Sequence, residues 1–147
     1  MRYLLTLPAI AVLMLLPVSA GAQLAGRTAQ DWINTLDAPA RVASMRVPEM
    51  VAALKIVPGQ IVADVGAGSG AVSGPLAIAT GPKGLMYAVD IDQGLLTHIA
   101  ERAAKLQLTN IRTVLGTFTD PKLPAPVDLA FMNDVLHHVQ DLSLIHI

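Results

Sequence analysis

The stretch Ile61-Val62-Ala63-Asp64-Val65-Gly66-Ala67-Gly68-Ser69-Gly70 decides how this chain folds. Its first five residues are a short run rich in β-branched side chains, the mark of a strand buried on both faces. The glycines at 66, 68 and 70 then remove side chains where a tight turn passes from strand to helix. Such a turn needs positive φ angles and lets a ligand approach the backbone closely. The helix after it runs through Leu76, Ile78 and Ala79, and Gly81-Pro82-Lys83-Gly84 closes it with a turn.

Working outward, residues 85–89 read as a second strand ending at Asp90. Asp92 can cap the next helix, whose Leu95, Leu96, Ile99, Ala103 and Leu106 share one face. Residues 110–115 and 127–132 read as the third and fourth strands, and helix resumes through Val135, Leu136 and Val139. Upstream, Thr28-Ala29-Gln30-Asp31 leads into a helix carrying Trp32, Ile33 and Leu36, ended by Asp37-Ala38-Pro39. Another begins at Pro48, carries Met50, Val51 and Leu54, and stops before Pro58-Gly59. The expected class is α/β: a Rossmann-like parallel sheet with helices on both faces, holding four strands, with a short helical N-terminal extension over residues 23–57. Residues 58–141 form the ligand-binding part.

The two ends read differently. Met1-Arg2-Tyr3, an apolar stretch over residues 4–16 and the small residues Ser19-Ala20-Gly21-Ala22 have the layout of a secretory signal over residues 1–22. Cleavage is expected after Ala22, with export to the periplasm. The apolar stretch is shorter than the ~20 residues that span a bilayer as a helix, so no stable membrane insertion is expected after cleavage. Residues 142–147 look like a translated library-adapter sequence, which implies that the native chain continues past Asp141.

Composition narrows the chemistry. The chain of 147 residues has no cysteine, which excludes disulfides, thiolate metal sites and a cysteine nucleophile. Ten basic against eleven acidic residues leave no surplus to neutralise phosphates, so nucleic acid is not an expected partner. In parallel sheets ligands sit at the carboxyl ends of the strands, which directs attention to residues 64–70, 90–92, 116–118 and 133–134. Two ligand classes use a glycine turn of this kind. A dinucleotide rests its pyrophosphate on the helix N-terminus, and Gly66, Gly68 and Ala71 meet its G-x-G-x-x-[GA] pattern with Asp90 at the ribose distance. S-adenosylmethionine carries no phosphate. Asp64, two residues before the first glycine, would repel a pyrophosphate but suits an ammonium group. A nicotinamide-dependent oxidoreductase half-domain and a non-catalytic nucleotide-binding module therefore stand beside a methyltransferase.

Residues 62–70 resemble the first motif of class I S-adenosylmethionine-dependent methyltransferases. Tyr87-Ala88-Val89-Asp90-Ile91-Asp92 resembles their second, and residues 127–134 the strand bearing their fourth. Val135-Leu136-His137-His138 is similar to an L-H-H run that follows that strand in many members. The stretch from Trp32 to Gln140 is similar to exported bacterial members of the superfamily. The resemblance implies S-adenosylmethionine as cofactor, with backbone contacts from Gly66, Gly68 and Gly70. It implies Asp64 facing the methionine amino group, Asp90 on the ribose and Ile91 against the adenine. The family often has an acidic residue near the adenine amino group; this chain has Gly116-Thr117-Phe118, with Thr117 able to hydrogen-bond there. The implied partner is a methyl acceptor, a small molecule or one the sequence does not identify.

Asp134 and His138 are the candidates for catalysis, spaced to share a helix face. Helix packing with capping by Asp134 is the commoner use of such residues. Adjacent His137 and His138 point about 100° apart on a helix, so no metal site is expected. Trp32 on an apolar stripe reads as a packing anchor more readily than as a lid over the site. Arg41 and Arg46 read as solvated side chains more readily than as clamps on a carboxylate.

Overall fold

A computed structural model describes residues 26–138, and for His137 the backbone alone. The expected signal segment and its cleavage site, Val139 and residues 142–147 lie outside the described residues. Three short helices come first: α1 (Ala29–Leu36), α2 (Pro39–Ser44) and α3 (Val47–Ala53). Thr28 starts α1 through a capping box, its hydroxyl accepting from the Asp31 N–H while the Asp31 carboxylate accepts from the Thr28 N–H. The helix ends at Asp37, as the Asp37-Ala38-Pro39 sequence implied, and the sequence alone assigned no element to residues 40–47. The segment after Asp37 forms a further helix, because Pro39 occupies a first-turn position where its missing N–H costs nothing.

The alternation then runs β1 (Ile61–Val65), α4 (Ser73–Thr80), β2 (Leu85–Asp90), α5 (Gln93–Lys105), β3 (Ile111–Leu115) and β4 (Leu129–Phe131). All four strands are parallel, in the order β3-β2-β1-β4. Asp64 pairs with Ala88 on one side and Phe131 on the other, which places β1 in the middle. The chain steps from β1 to β2 to β3 in one direction, then returns across the sheet to lay β4 on the far side of β1. That reversal of strand order leaves a crevice at the carboxyl end of β1.

Alternation along the strands divides two apolar layers. Val62, Met86 and Ala88 face Leu76 and Ala77 of α4 and Leu96 and Ile99 of α5, with Val47 of α3 joining them. Right-handed crossovers made in one direction share one face of the sheet, which is why α4 and α5 lie together. On the opposite face, Ala63, Tyr87 and Val89 are covered by Leu123 and Val127 from the β3–β4 connection. Gly84 closes the turn into β2: a Cβ there would lie 2.6 Å from the Thr80 carbonyl oxygen and 2.7 Å from that of Gln60. Asp92 caps α5 as expected, accepting from the N–H groups of Gly94 and Leu95. After β4 the chain forms a short 3-10 turn, Leu136–His138. No helix among the described residues is long and apolar enough to cross a membrane.

Candidate functional site

At the carboxyl ends of β1 and β2 lies a cleft of about 230 Å³. Its floor is the glycine turn. Gly66, Gly68 and Gly70 have φ of 76°, 57° and 77°, the left-handed region that glycine enters without strain. The turn is tied to β2 by its own backbone, since the N–H groups of Gly66 and Ala67 both donate to the Val89 carbonyl, each at 2.9 Å. Gly66 and Gly68 line the cleft. Gly70 does not: it is buried, and a Cβ there would come within 2.8 Å of Ile99. The third glycine thus serves close packing of the turn on α5.

Two carboxylates stand at the floor. Asp64, at 3% exposure, accepts a 2.6 Å hydrogen bond from the Ser73 hydroxyl. Burial pushes its carboxyl up to about 6; the Ser73 bond works against that rise and the neighbouring charge of Asp90 adds to it. Asp90, at 8% exposure, accepts from the Gly68 N–H at 2.8 Å and from the Asp92 N–H at 3.1 Å. Burial raises the pKa of Asp90 as well, opposed by the backbone N–H groups of Gly68, Asp92 and Ile91. Ile91 keeps an apolar side chain 37% exposed on the same cleft.

Thr117 lies on an adjoining cavity of about 90 Å³ with Phe118 and Met132, which shares Gly66, Asp90, Ile91, Val135 and His138 with the main cleft. Its hydroxyl donates to the Asp120 carbonyl and accepts from the Thr119 N–H. Asp134 and His138 both line the main cleft, on its β4 side, together with Asn133. They do not share a regular helix face. Asp134 has φ of 56°, so the chain turns there before the Leu136–His138 turn begins. Among the described residues, no group of three or more histidines and carboxylates is arranged to hold a metal ion.

The opposite wall comes from the N-terminal helices: Trp32 and Leu36 of α1, Arg41 of α2 and Met45 just after it. Two residues expected mainly in packing or in solvent stand on this wall. Trp32 lies on the cleft rather than only in the packing, with the Arg27 guanidinium 4.4 Å over its ring. Arg41 is half-buried and reaches the Asp134 carboxylate at 3.3 Å, bridging the cleft. Arg46 does behave as a surface side chain, paired with Glu49 at 3.1 Å. The signal for this wall was present in the i, i+4 spacing of Trp32 with Leu36 and of Arg41 with Met45. Nothing local said which way those faces turn.

Solved structures share this fold. An Aquifex aeolicus structure described as a SAM-dependent methyltransferase superposes with a TM-score of 0.69 at 27% identity, covering 78% of this chain and 61% of that one. A Thermotoga maritima SAM-dependent O-methyltransferase superposes at 0.55 and 21% identity over 60% of this chain and 34% of its own, a likeness of fold. Nocamycin O-methyltransferase of Saccharothrix syringae is 38% identical over 68 residues, which are 46% of this chain. The chain spans about a quarter of that curated relative's length, 24% of it. The family described as methyltransferase domain matches residues 62–146, more than half of the chain and the whole of the sheet from Val62 onward, and the chain belongs to that family.

Proposed function

We propose that this chain binds S-adenosylmethionine in the cleft over the glycine turn and directs its methyl group to an acceptor approaching from the β4 side. One observation carries the reading: two buried carboxylates, Asp64 and Asp90, flank a glycine turn in which the N–H groups of Gly66, Ala67, Gly68 and Gly70 are already bonded within the protein. The Gly66 and Ala67 N–H groups are taken by Val89, that of Gly70 by the Ala67 carbonyl, and that of Gly68 by Asp90. Such a turn offers little to a pyrophosphate, which needs free N–H donors and no nearby negative charge. It suits a ligand with an ammonium group for Asp64 and vicinal hydroxyls for Asp90, donors that a carboxylate accepts.

The residues present fit the cofactor in kind. Asp64 would hold the amino group, Asp90 the ribose, and Ile91 one face of the adenine, with Thr117 on the adjoining cavity at the far edge of the ring. When bound, the cofactor supplies an electrophilic methyl group on a sulfonium. The chain's own contribution is to hold that donor in line and to keep water out between the N-terminal wall and the turn. Asp134 and His138 stand where an acceptor would enter, His138 as a group able to take a proton and Asp134 as its neighbour on the rim. Calorimetry of the full chain with S-adenosylhomocysteine and, separately, with NAD tests the reading. Binding of the first alone supports it; binding of NAD alone overturns it.

We further propose that residues 1–22 direct export with cleavage after Ala22, on the strength of their charge and hydropathy layout. A fusion of residues 1–30 to a reporter active only in the periplasm tests this, and an inactive reporter overturns it.

A further inference from the structure

One carboxylate of the N-terminal wall joins it to both the glycine turn and α5. Asp37, at the end of α1, accepts a 2.6 Å hydrogen bond from the hydroxyl of Ser69, which belongs to the glycine turn and is 2% exposed. The Arg102 guanidinium of α5 approaches the two Asp37 oxygens at 3.4 and 3.3 Å. His98, also on α5, places its Nε2 3.6 Å from the same carboxylate, and that nitrogen is buried with no hydrogen-bond partner among the described residues. One half-buried side chain thus joins three segments that are 32 and 65 residues apart in sequence.

The wall itself rests directly on the site. A Cβ at Gly68 would meet Leu36 Cδ1 at 2.9 Å, so Leu36 lies on the turn. A Cβ at Gly94 would meet the Ala29 Cβ at 2.6 Å, so α1 also abuts the first turn of α5. Across the cleft the attachment is looser. Arg41 reaches an Asp134 carboxylate whose side chain is 63% exposed, the setting in which an ion pair contributes least.

We infer that α1 and α2 form a cover over the cofactor cleft, hinged where Asp37 holds Ser69 and Arg102 and latched across the cleft by Arg41, and that Asp37 is a positioning residue governing how fast the cofactor enters and leaves. This rests on the cofactor reading above. A cover sets the barrier to passage in both directions, whereas a residue that merely touches the ligand affects mainly its departure. Loosening the hinge therefore raises both rates.

Trp32 is the chain's only tryptophan and lines the cleft, so its fluorescence reports S-adenosylhomocysteine binding directly. Stopped-flow measurements on the full chain should show Asp37→Ala raising the dissociation rate about tenfold, the scale of losing charged hydrogen bonds, and raising the association rate with it. Ser69→Ala and Arg102→Gln each remove one arm and should act in the same direction by smaller factors. Adding Ser69→Ala to Asp37→Ala should change nothing more, since both act on one joint. Gly94→Leu lifts α1 sterically without touching Asp37 and should also raise both rates. Unchanged rates in Ser69→Ala, Arg102→Gln and Gly94→Leu proteins that keep the parent circular dichroism overturn the hinge. A faster departure with an unchanged association rate overturns it too, as it reduces Asp37 to an ordinary contact. Absence of S-adenosylhomocysteine binding by the unmodified chain overturns the cofactor reading itself.

Discussion

The inner wall of the cleft, residues 64–68 with Asp90 and Ile91, is built on two adjacent strands, and its shape is held by backbone bonds to Val89, with the Gly68 N–H also donating to the Asp90 carboxylate. The outer wall, Trp32 to Met45, touches the same cleft but is held by side chains, with Asp37 to Ser69 and Arg102 and Arg41 to Asp134. Backbone bonds between paired strands are cooperative with the whole sheet, while a few half-exposed polar contacts are worth about 1 kcal/mol each. The difference teaches where binding geometry is built and where its timing is set. In the proposed reading the inner wall carries the groups that recognise the ligand and the outer wall controls access to them.

The severest way to break this contrast is on the inner wall. A side chain at Gly66 would place its Cβ 2.8 Å from the Cβ of Val135 and 2.4 Å from one of its γ carbons, at a φ of 76°. Gly66→Val should abolish S-adenosylhomocysteine binding in calorimetry and lower stability to urea by about 3 kcal/mol, combining overpacking with backbone strain. Gly68→Val makes a useful partner. Its Cβ meets only the mobile end of Leu36, so it should lose binding with a smaller loss of stability. Equal destabilisation by the two would mean that the cover is as rigid as the sheet.

Next in size is Asp90→Ala. It removes the acceptor for the N–H groups of Gly68 and Asp92 and the proposed partner of the ribose. Affinity for S-adenosylhomocysteine should fall by about 1.5–3 kcal/mol in titration calorimetry. An unchanged affinity would move recognition away from the inner wall.

The pH dependence is a smaller and more specific test. With Asp64 held at about 6 in the fold against 3.8 for the ordinary group, the folded protein binds the extra proton. This group's stabilising share is full below about pH 4 and is lost as pH rises through about 6, a change of about 3 kcal/mol. Ligand binding runs the other way, because an ammonium requires the ionised carboxylate. Affinity for S-adenosylhomocysteine should strengthen about tenfold from pH 5 to pH 7, and Asp64→Asn should flatten that slope. A flat profile in the unmodified chain would remove Asp64 from the amino-group site.

The smallest effect belongs to Arg46→Ala. Its pair with Glu49 is exposed on both sides, with 73% and 57% of the two side chains open to solvent, so stability and binding should stay within about 0.5 kcal/mol of the parent. Arg41→Ala, a cleft-bridging arginine five residues earlier, should change the ligand association rate in stopped flow. If the two substitutions behaved alike, Arg41 would be no latch.

Local chemistry determined the inner wall. The β-branched run at 61–65, the alternating glycines, the cap at Asp92 and the carboxylates at the ends of β1 and β2 each depend on neighbours within a few residues, so their places in the fold are legible in the chain itself. Even the division of work among the glycines was half visible: three positive φ angles follow from the turn, but that Gly70 faces Ile99 does not. Tertiary structure alone decided the outer wall. Trp32 and Arg41 sit on short helices whose orientation depends on where Asp37 finds Ser69 and Arg102, contacts that span 32 and 65 residues. A periodic apolar stripe states that a helix has a buried face, but not which surface it meets. The conformation at Asp134 was equally out of reach, since its left-handed φ breaks the i, i+4 relation to His138 that a continuous helix would have imposed. What the sequence determined is the pattern enforced by short-range sterics and hydrogen bonding. What waited for the fold is every contact in which a polar side chain chooses one distant partner among several of similar energy.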